Sequence, residues 1–74
     1  MNEVSLIDFG KRIRELRKEQ NLTQSELAEK IGLSTNFIGM VERGERNITI
    51  LKVFKIAAAL SVSLAEFFDN WQDK

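Results

Sequence analysis

The sequence predicts an all-α fold built from five short helices. It contains no proline and only four glycines among 74 residues, so little in it interrupts a helix. Ser or Thr is twice followed three residues later by Glu, the spacing of a helix N-terminal capping box. Apolar residues recur every three or four positions, and no segment alternates polar and apolar residues as a half-buried strand does.

The composition limits the functions that such a chain can have. Its length predicts a single domain over residues 1–74, with the core in about residues 7–71. The absence of Cys and His excludes disulfides, thiolate or imidazole metal sites, and catalysis by either side chain. We therefore expect no enzyme, no cofactor, no metal and no small-molecule ligand. No membrane-spanning run or signal-peptide pattern occurs, so we expect a cytoplasmic protein that does not contact the membrane.

The helices are placed by their end signals and by apolar spacing. Capping boxes over residues 23–26 and 63–66 mark the starts of helices two and five. The other end signals are two N-cap candidates and two glycines suited to a left-handed C-cap: Ser34, Thr49, Gly32 and Gly44. The predicted helices are Ile7–Gln20, Gln24–Ile31, Thr35–Arg43, Ile50–Leu60 and Leu64 to about Trp71.

Apolar positions at helical spacing predict which face of each helix is buried. In helix one these positions are Phe9, Ile13 and Leu16. In helices two and three they are Leu27, Ala28, Ile31, Ile38 and Val41. In helix four we expect an inward face of Leu51, Phe54, Ala57, Ala58 and Leu60.

The joint between helices two and three carries the functional signal. Gly32 permits a sharp turn, and Ser34 immediately caps the next helix. A tight, glycine-containing turn between two short amphipathic helices is the helix-turn-helix layout. Ala28 is small, as close approach of the two helices requires.

Four stretches of the chain resemble the lambda-repressor-like helix-turn-helix family of the xenobiotic-response-element type. They run over residues 22–34, 38–46, 55–62 and 64–68, so the resemblance covers roughly residues 9–68. The segment 43–50 and the chain length are similar to those of restriction–modification controller proteins. The resemblance implies a compact five-helix DNA-binding domain that places helix three in the major groove of double-stranded DNA.

When helix three is matched to the recognition helix of this family, its solvent face carries the residues that would read bases. They are Thr35, Asn36, Gly39 and Met40. An Asn side chain can pair with adenine through two hydrogen bonds, and a Thr methyl can contact a thymine methyl. The alternative for Asn36 is a solvated residue in the first turn. Met40 fits either thymine contact or packing against a neighbouring helix. Gly39 fits either close approach to DNA or a tolerated small position.

Other residues around helix three are expected to contact phosphates or to support the helix. The resemblance implies phosphate contacts by Gln24, Ser34, Arg43, Arg46 and Asn47; Gln24 is otherwise a surface residue of the capping box. Phe37 either packs on the sugar-phosphate backbone or fills the edge of the core, and we prefer the core.

Arg17 and Glu42 match a family pair in which an Arg of helix one bridges to the Glu that closes helix three. Such a buried pair would hold the recognition helix to the rest of the domain. The alternative for Arg17 is an exposed position within the charged face of helix one.

The formal net charge is zero, but the charges are not evenly spread. Residues 43–55 carry four basic residues against one acidic residue, directly after helix three. Residues 56–74 carry one basic residue against three acidic residues. A neutral chain can therefore still present a positive surface to DNA.

Helix five carries an apolar stripe of Leu64, Phe67, Phe68 and Trp71. Leu64 and Phe67 suit the core, whereas Phe68 and Trp71 are candidates for a homodimer interface.

Together with these features, the family resemblance implies a sequence-specific transcription regulator that binds pseudo-palindromic DNA as a homodimer, as a restriction–modification controller or a phage-type repressor does. The alternative is an antitoxin-like protein-interaction module that has the same fold and little DNA binding.

Overall fold

The computed structural model describes residues 5–69, and within that range the chain forms five α-helices and no strand. They are α1 (Leu6–Glu19), α2 (Gln24–Ile31), α3 (Thr35–Glu42), α4 (Ile50–Ala59) and α5 (Leu64–Phe67). The predicted all-α, five-helix fold is confirmed. The ends of α1–α4 lie within one residue of the predicted ends. Helix α5 ends at Phe67, and the predicted end at Trp71 lies outside the described residues.

Every helix begins at a side-chain cap. The N-cap hydroxyl accepts a hydrogen bond from the backbone N–H three residues later, at Ser5, Thr23, Ser34, Thr49 and Ser63. Both predicted capping boxes are present, since Glu26 and Glu66 each accept the backbone N–H of their N-cap residue. These caps explain how such short helices begin at defined residues.

Helices α2 and α3 end at glycines in the left-handed region, as the sequence predicts. Gly32 has φ 71° and Gly44 has φ 76°. At each end, the N–H of the residue after the glycine returns to a carbonyl five residues earlier, Leu33 to Ala28 at 2.9 Å and Glu45 to Met40 at 2.9 Å. This is the Schellman motif, which a left-handed residue makes possible.

The core takes side chains from all five helices. Its fully enclosed members are Ile13, Leu27, Ile38, Val41, Ile56, Leu60 and Phe67. Phe9 also packs in the core, with its ring centre 5.4 Å from that of Phe67. The core therefore joins both ends of the described chain to the helix-turn-helix pair.

The predicted inward face of α4 is wrong at three of its five residues. Leu51 is 70% exposed, Phe54 is 49% exposed, and Ala58 is also exposed. The residues of α4 and its C-cap that enter the core are Val53, Ile56, Ala57 and Leu60. These four also repeat at helical spacing, and only Lys52 and Lys55 in α4 are charged, so the apolar spacing alone allowed two faces.

Helix α1 crosses the C-terminal end of α3 at Gly10. A Cβ atom at this position would lie 2.4 Å from the carbonyl oxygen of Val41 and 2.5 Å from that of Glu42. Only glycine fits so close to another backbone without displacing it. The close crossing brings Arg17 of α1 within reach of Glu42.

Candidate DNA-binding surface

The turn between α2 and α3 sets the position of α3. Gly32 reverses the chain, and the Ser34 hydroxyl accepts the N–H of Phe37 at 3.0 Å. Leu27, Ala28 and Ile38 are buried between the two helices and the rest of the core. The N-terminal end of α3 therefore leaves the turn in one fixed direction.

A buried ion pair holds the C-terminal end of α3. Arg17 donates from Nε to Glu42 Oε2 at 2.7 Å and from Nη2 to Oε1 at 3.1 Å. Arg17 also donates from Nη1 to the carbonyl oxygen of Leu22 at 2.7 Å, and Gln24 donates from Nε2 to Glu42 Oε1 at 3.0 Å. Within residues 5–69, no buried side-chain nitrogen or oxygen lacks a hydrogen-bond partner. The network thus ties α1, α2 and α3 together at one carboxylate.

The first turn of α3 is open to solvent. Thr35 and Asn36 are exposed, and Met40 is half-buried one turn later. Asn36 donates from Nδ2 to the sulfur of Met40 at 3.6 Å. A sulfur acceptor at an exposed site is a weak partner, so an approaching ligand can compete for the Asn36 amide.

Gly39 is buried, so the prediction that it lies on the solvent face of α3 is wrong. A Cβ at position 39 would lie 3.1 Å from Arg43 Nη1 and 3.5 Å from Gln24 Oε1. The side chains of Gln24 and Arg43 therefore cover this point of the helix. Of the two interpretations of Gly39, the geometry fits a small position that lets neighbouring side chains approach.

Phe37 packs against the edge of the core, as we preferred, and its ring also faces two cations. The Arg46 guanidinium carbon lies 5.5 Å from the ring centre, and Lys52 Nζ lies 5.0 Å from it. The Lys52 contact could not be predicted from local sequence, because Lys52 is fifteen positions from Phe37 and belongs to α4. The contact places positive charge from α4 beside α3.

The loop after α3 carries the remaining residues expected at phosphates. Arg43, Arg46 and Asn47 are all exposed. Arg43 Nη2 lies 3.2 Å from Glu45 Oε1 in an exposed ion pair. Gly44 lets the loop approach α1 closely, because a Cβ there would lie 2.7 Å from Ile7 Cγ1.

The N-terminal half of α4 presents an exposed apolar patch, consisting of Ile50, Leu51 and Phe54. Leu51 and Phe54 were predicted to lie in the core. Ile50 is 62% exposed, compared with 70% for Leu51 and 49% for Phe54. At about 100° per residue, these three positions share one side of the helix. Large apolar groups clustered in this way mark an interaction surface more often than single exposed ones do.

Phe68, one of the two predicted interface residues, lies in an intrachain ring cluster. It is half-buried, with ring centres 4.9 Å from Phe67 and 6.5 Å from Phe9. Trp71, the other predicted interface residue, lies outside the described residues.

Among residues 5–69, no three His, Cys, Asp or Glu side chains are grouped so as to hold a metal ion. No described helix is long and apolar enough to cross a membrane.

Comparison with known proteins places this geometry among regulators. The helix-turn-helix family model HTH_3 matches residues 13–67. Control protein C.MunI of a Mycoplasma species is 35% identical over 71 residues, which are 95% of this chain and 95% of that protein.

Two solved structures extend the comparison. The restriction–modification controller C.AhdI from Aeromonas hydrophila superposes with TM-score 0.81 at 43% identity, covering 85% of this chain and 96% of that one. The controller C.Esp1396I, solved as a tetramer with its natural 35-base-pair operator, gives TM-score 0.82 at 34% identity, covering 92% and 90%.

Proposed function

Since this chain belongs to the helix-turn-helix family HTH_3, and is thus a DNA-binding regulator and not an enzyme, we propose that it binds operator DNA through α3. One observation carries the proposal: α3 is locked at its C-terminal end by the Arg17–Glu42 pair and exposed at its N-terminal turn. A helix held in this way presents its first side chains to the major groove in a fixed direction.

We assign base reading to the open first turn of α3 and to Met40, one turn later. Asn36 would pair with an adenine, and Thr35 and Met40 would contact thymine methyl groups. Gly39, covered by Gln24 and Arg43, would act as a close-packing position and not as a base contact.

Phosphate contacts would surround this turn on both sides. They are assigned to Gln24, Ser34, Arg43, Arg46 and Asn47. Gln24 already donates one amide hydrogen to Glu42, and its second amide hydrogen remains for a phosphate. Phosphate contacts fix the register of the protein on DNA, whereas the α3 contacts supply sequence preference.

The regulator would bind as a homodimer through the apolar patch of α4. The related C.Esp1396I is described as a tetramer on its operator, so copies of that protein assemble on DNA. A two-fold dimer pairs one patch with the same patch on a second copy, and Ile50, Leu51 and Phe54 are self-complementary because all three are apolar. We prefer this patch to Phe68, whose ring already packs within the chain.

Sedimentation equilibrium tests the dimer. Leu51→Glu should convert the wild-type dimer to a monomer, because it places two like charges at an apolar contact. Lys18→Glu, a charge change at an exposed position of α1, is the control and should remain a dimer. A wild-type chain that stays monomeric both in solution and on DNA would overturn the proposal.

The biological role that we propose is control of a restriction–modification operon, by similarity to C.MunI and C.AhdI. Binding to operator DNA would place the protein in the cytoplasm.

Selection of bound DNA from a random pool tests the proposed function. The expected result is an enriched motif with two half-sites related by two-fold symmetry and separated by about one helical turn. Recovery of no motif over several rounds would contradict it.

A further inference from the structure

The ring of Phe37 gathers cations from two other parts of the chain. Phe37 lies in the first turn of α3, Arg46 in the following loop, and Lys52 in the first turn of α4. Both cationic groups lie within 5.5 Å of one ring centre. The Lys52 backbone is itself fixed, because its N–H donates to the Thr49 hydroxyl at 3.3 Å.

Among the described residues, these two charges have no carboxylate partner. Neither Arg46 nor Lys52 forms an ion pair with a carboxylate among residues 5–69, where the pairs formed are Arg12–Glu15, Arg17–Glu42 and Arg43–Glu45. Two like charges on one ring repel each other, and an exposed cation–π contact contributes only about 0.5–1 kcal/mol. Both cations therefore remain available to an anion from outside the chain.

The position of the pair indicates which anion is suitable. Phe37 directly follows Asn36, the residue assigned to base reading, so the cations flank the turn that would enter the groove. A phosphodiester oxygen is an anion that accepts charge-assisted hydrogen bonds from a guanidinium or an ammonium. In duplex DNA such phosphates border the groove on both sides.

We propose that Lys52 is a phosphate-binding residue of the DNA interface and that Phe37 positions it beside Arg46. The proposal rests on the proposed DNA-binding function and adds α4 to the contact surface. Phe37 does not contact the phosphate itself; its ring contacts the Lys52 ammonium at 5.0 Å and thereby limits where that charge can lie.

The test is the salt dependence of affinity for a duplex carrying the selected motif. The logarithm of the binding constant is plotted against the logarithm of the salt concentration. Each phosphate that the protein neutralises contributes about −0.9 to the slope of this plot. Lys52→Met keeps the aliphatic chain, and it should make the slope shallower by about 0.9 per bound protomer. It should also weaken binding to all sequences alike, because a phosphate contact carries no sequence information. Lys30→Met, at an exposed lysine in the last turn of α2 and at the opposite end of that helix from Gln24, should leave the slope unchanged.

Phe37 is tested by a rescue pair. Phe37→Leu removes the ring and should also make the slope shallower, whereas Phe37→Tyr retains the ring and should restore the wild-type slope. Circular dichroism establishes that each variant is folded before binding is measured. A merely structural role for Phe37 would change the melting temperature of the leucine variant without changing the slope.

The outcomes separate this proposal from the proposed function. A steep wild-type slope with an unchanged slope in Lys52→Met, or in Phe37→Leu, would overturn the present inference and leave DNA binding intact. A wild-type protein that binds no duplex at any salt concentration would overturn the proposed function itself.

Discussion

Replacing Glu42 by alanine should strongly destabilise the protein. The Glu42 carboxylate accepts two hydrogen bonds from Arg17, at 2.7 and 3.1 Å, and one from Gln24 at 3.0 Å. The substitution leaves the Arg17 guanidinium buried, with the Leu22 carbonyl as its one remaining hydrogen-bond partner among these. Removing one partner of a buried pair costs about 3–5 kcal/mol, chiefly because the other charge stays desolvated and unpaired.

That loss is large compared with the stability of a chain of this size. At about 0.05–0.15 kcal/mol per residue, 74 residues give a free energy of unfolding of about 4–11 kcal/mol. Urea denaturation followed by far-UV circular dichroism measures the change. All variants should be compared at one protein concentration, because dimerisation adds to the apparent stability.

Two further variants show whether the reasoning is right. Glu45→Ala breaks the Arg43–Glu45 pair, whose side chains are 55% and 53% exposed, and should cost less than about 1 kcal/mol. The double variant Arg17→Met with Glu42→Leu should be more stable than Glu42→Ala, because no buried charge is left alone. A loss in Glu42→Ala no larger than that in Glu45→Ala would refute the argument.

Three other substitutions test the backbone and the caps, each by the same urea titration. Gly10→Ala should lower the free energy of unfolding by about 1–3 kcal/mol, because the new methyl group meets the carbonyls of α3; a neutral result would show that the helices separate readily. Thr23→Ala should cost about 1 kcal/mol, since it removes the hydroxyl that caps α2, and no loss would mean that water replaces the cap. Gly39→Ala should stabilise by up to about 1 kcal/mol, because alanine favours the helix and the nearest atom is the movable end of Arg43. A clear loss of stability would mean that Arg43 cannot move aside.

The helix ends could be predicted from the sequence because their signals are local. A hydroxyl followed by Glu three residues later satisfies backbone groups within one turn, so Thr23 and Ser63 mark the starts of α2 and α5 without reference to the rest of the fold. The left-handed conformations of Gly32 and Gly44 are local in the same way.

The buried face of α4 could not be predicted from spacing alone. Its lysines, at positions 52 and 55, leave most of the helix apolar, so two faces both show helical spacing. The choice between Phe54 and Val53 for the core depends on the orientation of α4 against α2 and α5. That orientation arises from long-range packing, which no local pattern records.

In the candidate site, too, the local features could be predicted from the sequence and the long-range contacts could not. The exposure of Thr35 and Asn36 agrees with their expected place in the first turn of α3. The covering of Gly39 by Gln24 and Arg43 could not be foreseen, because it depends on side-chain conformation. The meeting of Lys52 with Phe37 depends on the path of the loop 43–49, which the sequence does not specify locally.

The most direct test of the central claim compares wild type and Asn36→Ala on the selected duplex and on duplexes altered at each position. If α3 reads bases, wild type should discriminate each altered base pair by about 1–3 kcal/mol, and Asn36→Ala should lose that discrimination at one position of each half-site. An equal loss of affinity on every sequence would mean that Asn36 contacts phosphate. A wild-type protein that binds all duplexes alike, with little dependence on salt, would contradict the account and favour a protein-interaction module.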